Sequence, residues 1–272
     1  MKAILFLVAG VALFVLAGGR AAGSPPEGAE EAQNLTQQQI LSATVMIAIT
    51  TPNWQEEAVA ADEVLPIPND EYRTIAKANG DVVADGLGTL IANEEGVLLV
   101  THDHWSRFDD ALGTVTFRTA AGTGLGEMKL RDFKALIRSR DRGTMVLDAP
   151  DVLQSAVTAA EATLQPKDLQ PGNHGYVARR SGDSVVVSEV NVIAQAQKQG
   201  LPVVQLQNMD GQVIVGGDSG GGVWLNGQLT AVMWTTVMME NSTTGVQRAT
   251  DMSVAAIYQG VQCSVNPELA SS

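Results

Sequence analysis

The sequence predicts an all-β protein. Short apolar or alternating runs recur from Thr44 onward, turn residues separate them, and no long stretch with helical period interrupts the series. In order, the predicted strands cover residues 44–50, 81–84, 87–91, 97–101, 113–118, 134–137 and 144–147. After a gap they resume at 175–178, 184–194, 203–207, 213–215, 223–225, 229–236 and 245–249. Asn79-Gly80, Glu95-Gly96 and Asn226-Gly227 mark turns, the last a strong hairpin signal. Residues 250–262 read as a closing helix. The simplest organisation is two β units of similar size, 44–150 and 165–262. The Ala-rich linker between them, 151–164, suits a short helix or an extended crossover, and 263–272 form a C-terminal tail.

The N-terminus has a different texture. Residues 3–19 are apolar and uncharged and follow Met1-Lys2. Such a run is the hydrophobic region of a signal peptide, or a membrane helix at the short limit of about 17 residues. Gly19-Arg20-Ala21 and Ala21-Ala22-Gly23 place small residues where a signal peptidase requires them, so residues 1–23 are read as a signal peptide, with a retained membrane anchor as the alternative. The remainder is expected to be exported, secreted or periplasmic. Residues 24–43, rich in Pro, Glu and Gln, suit a flexible tether.

Acidic residues outnumber basic ones 30 to 17, giving a net charge of −13 over 272 residues. That balance argues against nucleic acid or an anionic membrane surface as partner. A single cysteine, Cys263, excludes an internal disulfide framework and a Cys-based zinc cluster. The three histidines show no metal-ligand spacing, so no metal and no cofactor are implied.

The chemistry concentrates at Gly217-Asp218-Ser219-Gly220-Gly221-Gly222, led in by Val213-Ile214-Val215 and out by Val223-Trp224. Glycines on both sides leave the serine hydroxyl uncovered and let a substrate backbone approach closely. They also let successive N–H groups converge on one point, as an oxyanion hole requires. Ser219 is therefore a candidate nucleophile, which needs a base. His104 follows the apolar run 97–100, where a rigid strand end can hold an imidazole; His102, two residues earlier, is equal to it on spacing alone. Asp141, ahead of the run 144–147, is a candidate to orient that imidazole.

Together these motifs resemble the trypsin-like, chymotrypsin-fold serine peptidases over residues 44–262. The family's Gly-Asp-Ser-Gly-Gly is matched completely at 217–221, Thr101-x-x-His104 matches its Thr-Ala-Ala-His, and Asp141 with Gly143, Met145 and Leu147 resembles its Asp-x-Ala-x-x-x-Leu. Gly86-Leu87-Gly88-Thr89-Leu90-Ile91 and Leu169-Gln170-Pro171-Gly172 look like further landmarks. The resemblance, not spacing, selects His104 over His102. It implies two packed Greek-key β-barrels of six strands each with the active site in the cleft between them. It also implies an endopeptidase acting on protein or peptide through His104, Asp141 and Ser219, with the N–H groups of Gly217 and Ser219 as oxyanion hole. Val213, Ile214, Gly216, Trp234, Thr235 and Thr236 would form the primary specificity pocket. No carboxylate lies among these six, so the expected preference is a small or medium apolar residue, with Asp210 as the nearest acid that would change it. No basic residue precedes an Ile-Val-Gly-Gly upstream, so Asp218 needs a partner other than a newly cut N-terminus.

Two other readings compete. The Gly-x-Ser-x-Gly of α/β-hydrolases places its acid and histidine after the serine, but here the last histidine is His174. A non-catalytic trypsin-like module that binds peptides or another protein is the alternative function.

Overall fold

The computed structural model describes residues 36–50, 82–93, 96–107, 113–140, 143–154, 160–161, 169–225, 227–240 and 247–257. The expected signal peptide or anchor, Asp141 and the C-terminal tail lie outside the described residues. Among the described residues no helix is long and apolar enough to cross a membrane.

The chain opens with helix α1 (residues 36–43). This corrects the expected tether over those residues: Ile40 and Ala43 are buried, so burial holds the segment against the body. The first unit contains β1 (Thr44–Thr50), β2 (Val82–Asn93), β3 (Gly96–Thr101), β4 (Thr114–Thr119), β5 (Gly124–Lys129), α2 (Leu130–Lys134), β6 (Ile137–Arg140) and β7 (Met145–Asp148). Helix α3 (Asp151–Gln154) and the two-residue β8 (Ala160–Glu161) follow. The second unit contains β9 (His174–Ser181), β10 (Ser184–Lys198), β11 (Leu201–Asn208), β12 (Gly222–Leu225), β13 (Gln228–Glu240) and β14 (Gln247–Ile257).

The second unit is a closed six-stranded barrel in the order β10-β11-β14-β13-β12-β9. In the first, the described strands run β5-β4-β1-β2-β3-β7-β6, with β8 parallel to β2, so a closed barrel packs with a second sheet in the all-β, two-unit architecture that the sequence predicts. Strand β14 replaces the expected closing helix. Its Ala-rich sequence tolerates either structure, but it pairs with both β11 and β13, and only a strand there leaves neither neighbour with an open edge. Residues 130–134 form α2 rather than a strand start, because the three-residue spacing of Leu130 and Phe133 puts both on one buried face. Residues 213–215 are irregular rather than extended. Strand β5, rich in glycine and mostly exposed, carries no burial pattern from which it is readable.

The continuous apolar runs of β3 and β7 have a specific cause. Leu99, Met145 and Leu147 point into the core of the first unit with Phe117, Phe133 and Trp105. Leu98, Val100 and Val146 point the other way, onto Ala178, Val185, Trp224 and Val232 of the second unit. These strands are buried on both faces, so the alternation of a half-exposed strand is absent. Each such side chain contributes roughly 1.5–3 kcal/mol by burial, and the shared layer holds the two units together.

Candidate active site

The serine loop joins β11 to β12. The N–H of Asp218 donates to the Val215 carbonyl at 3.1 Å, that of Gly221 to Asp218 at 3.0 Å, and that of Gly220 to Met233 on β13 at 2.9 Å. Among the described residues no hydrogen bond uses the N–H of Gly217 or Ser219. Gly217 and Gly220 have φ of 93° and 91°, a left-handed conformation that favours glycine. Ser219 is half-buried, and its hydroxyl donates to the Trp234 carbonyl at 3.0 Å.

Strand β2 brings the first unit onto this loop. The Leu87 N–H donates to the Ser219 carbonyl at 2.7 Å. Thr101 Oγ1 donates to the Leu87 carbonyl at 2.6 Å and accepts Trp105 Nε1–H at 3.0 Å. Beyond β3 the chain turns into a short 3-10 segment, Asp103–Arg107, that carries His104. His102 and His104 are both buried, and the His104 ring lies 4.0 Å from that of Trp105, centroid to centroid. Gly86 is where these pieces meet: a Cβ there would stand 2.6 Å from the Ser219 carbonyl oxygen, 2.9 Å from Trp105 Cζ2 and 3.1 Å from His104 Cε1. Sequence brought out this glycine only as a landmark; its lack of a side chain lets the Ser219 backbone and the His104 ring come up to the same point.

Asp218 finds its partners in backbone. Its Oδ1 accepts the Arg180 N–H at 2.5 Å and its Oδ2 accepts the Val215 N–H at 2.7 Å. The second bond explains why 213–215 are not a strand, since a carboxylate takes the place of a ladder neighbour. Burial pushes Asp218 up to about 6, against the lowering effect of the two hydrogen bonds and of Arg179 and Arg180. Its folded pKa thus exceeds the ordinary 3.8, and the folded state holds the proton more tightly than the unfolded chain. This contribution to stability is fully present below the ordinary value and is lost as pH rises through about 6. Denaturant titrations across that window are expected to show a falling component of up to about 3 kcal/mol that Asp218→Asn lacks. Equal pH slopes in both proteins would contradict the assignment.

Sequence missed the ion pair between Asp85 on β2 and Arg180 on β9, which joins the two units. It packs on the serine loop: a Cβ on Gly217 would lie 3.0 Å from Arg180 Cδ and 3.2 Å from Asp85 Oδ1. The partners are 95 residues apart, and nothing local in the sequence links them.

Of the expected pocket residues, Trp234, Thr235 and Thr236 are half-buried on β13, Val213 is half-buried and Gly216 is exposed. Ile214 is buried in the barrel interior with Leu169, Val177 and Val223, where an apolar branched residue gains most. Asp210 is committed elsewhere: it pairs with Arg179 at 2.9 Å and accepts from Ser188 and from the Gln212 N–H, each at 2.9 Å. Burial acts to raise its pKa, but these bonds and the Arg179 charge outweigh it and hold the carboxyl below its ordinary value. Lys198, at the end of β10, stands 4.6 Å over the Trp234 ring.

No protein-family profile matches the chain. No curated protein matches its sequence. Among solved structures it is similar to the Rv3671c protease from M. tuberculosis in its active form, with a TM-score of 0.48 and 13% identity over 92% of this chain and 89% of that one. The inactive form of that protease gives a TM-score of 0.48 and 12% identity over 92% and 98%. The HtrA-type protease AlgW with tripeptide gives 0.47 and 14% identity over 82% of this chain and 58% of that one.

Proposed function

We propose that the chain is an exported serine endopeptidase. The observation that carries this is the convergence of the Ser219 main chain and the His104 ring on Gly86, with Ser219 on a loop whose Gly217 and Ser219 N–H groups are not spent within it. Ser219 Oγ attacks the scissile carbonyl carbon while His104 Nε2 takes its proton. The oxyanion is bound by the two N–H groups, the tetrahedral intermediate expels the amine, and His104 protonates it. Water, activated by the same imidazole, then hydrolyses the acyl-enzyme. Asp141 is assigned the role of orienting His104 from the motif it stands in. Residues 3–19 supply the export signal or anchor, and the reaction needs no cofactor.

The bond from Ser219 Oγ to the Trp234 carbonyl favours the second reading, a non-catalytic peptide-binding module. Catalysis requires the hydroxyl to swing to another staggered rotamer, a change that substrate binding commonly brings about. An unbiased peptide library separates the two and reads the pocket at once. Cleavage after small or medium apolar residues is expected, with about tenfold to a few hundredfold discrimination per size step. A dominant Arg or Lys preference would sink the apolar pocket, and binding without cleavage would favour the module.

A further inference from the structure

We infer that Arg180 is a positioning residue for the oxyanion hole: paired with Asp85, it keeps the Gly217 N–H turned toward the substrate carbonyl. This rests on the proposed role of the Gly217 N–H. Strand β9 ends beside the serine loop, and Arg180 acts there through both backbone and side chain. Its N–H donates to Asp218 Oδ1. Its guanidinium pairs with Asp85 on β2 and donates from Nη2 to the Gly182 carbonyl at 3.2 Å. The side chains are 24% exposed for Arg180 and 17% for Asp85, so solvent screens the pair only partly. Arg179, one residue earlier, is committed to Asp210 and Ser188.

Gly217 lies against this pair. With φ of 93° and no side chain, its peptide is freer to turn than that of any other residue type. A Cβ there would meet Arg180 Cδ at 3.0 Å, Arg180 Nη1 at 3.2 Å and Asp85 Oδ1 at 3.2 Å, so the two side chains wall one face of the loop. Asp85 spends Oδ2 on Arg180, while its Oδ1 is buried without a hydrogen-bond partner among the described residues. A buried carboxylate oxygen is a strong acceptor, and this one stands within reach of a turned Gly217 N–H. Arg180 prevents that turn twice: its charge offsets the pull of the carboxylate, and its side chain fills the space. Without Arg180 the carboxylate is uncompensated and captures the N–H. One of the two oxyanion donors is then lost.

Any residue but proline at position 180 keeps the backbone bond to Asp218, so substitution there isolates the side chain. Arg180→Ala is expected to lower kcat by about 100-fold, the scale of one lost oxyanion donor, with KM changed less than about threefold. A peptide aldehyde built on a cleaved library sequence forms a hemiacetal with an oxyanion, and its affinity should fall by a similar factor. The matching peptide alcohol forms no oxyanion, so its affinity should stay within about threefold. Arg180→Lys keeps a cation for Asp85 and is expected within about tenfold of wild type. Removing the acceptor as well, in Asp85→Ala with Arg180→Ala, is expected to recover at least about tenfold of the lost kcat. A folded Arg180→Ala with kcat within about threefold of wild type would overturn the inference. So would an equal loss for aldehyde and alcohol, or a double variant no faster than Arg180→Ala. Backbone amide relaxation of the full wild-type chain reads the loop without any variant. Gly217 is expected to be rigid, with an order parameter of about 0.85, and a value under about 0.6 would overturn the inference. A rigid Gly217 in a chain that hydrolyses no peptide would instead sink the peptidase reading and leave the hold of the pair on the loop standing.

Discussion

Ser219→Ala is expected to lower kcat by about 10⁴- to 10⁶-fold, because no other group in the loop replaces the nucleophile. The fold should tolerate the change. Ser219 is half-buried, and its hydroxyl donates to the Trp234 carbonyl at 3.0 Å. Losing that bond costs about 1 kcal/mol, a fall of a few degrees in Tm for a chain of this size. Steady-state kinetics on a cleaved library peptide, paired with thermal unfolding, checks both halves. An alanine variant with wild-type kcat would place the nucleophile elsewhere. A large fall in Tm would mean that lost activity reports lost structure.

Gly86→Ala is expected to be nearly as damaging for a different reason. The new methyl would meet the Ser219 carbonyl oxygen at 2.6 Å and Trp105 Cζ2 at 2.9 Å. Neither neighbour yields easily: one is backbone held by the Leu87 N–H, and the other is fully buried. Strand β2 must therefore move away from the serine loop, and His104 is displaced relative to Ser219. A misplacement of about 1 Å costs on the order of 100-fold in rate, whereas overpacking of this kind costs about 1–3 kcal/mol of stability. Gly124→Ala is the control, since a Cβ there meets nothing within 4 Å and its activity should be unchanged. Full activity in Gly86→Ala would contradict the described approach of serine and histidine.

What was legible in the sequence depended on how local its cause was. The runs that became β3, β9, β10 and β11 were readable because burial imposes an apolar pattern on the strand itself. The serine loop was readable because its glycines answer to a local conformation and close contacts. Strand β14 was not, since its Ala-rich sequence is decided by the gap between β11 and β13. Asp218 could be seen to need a partner, but Arg180 lies 38 residues away and offers a backbone N–H, which no side-chain pattern reveals. The two histidines were visible as a pair. Their surroundings were not: His104 packs on Trp105 and His102 on Trp234, which stand in different units.

The nucleophile is the central claim, and covalent labelling tests it most directly. The purified chain is treated with a fluorophosphonate and the modified peptide is located by mass spectrometry. A single adduct on Ser219 is expected, lost in Ser219→Ala and formed at least about 100-fold more slowly in His104→Ala. A chain left unlabelled, or an adduct on any other residue, would contradict it.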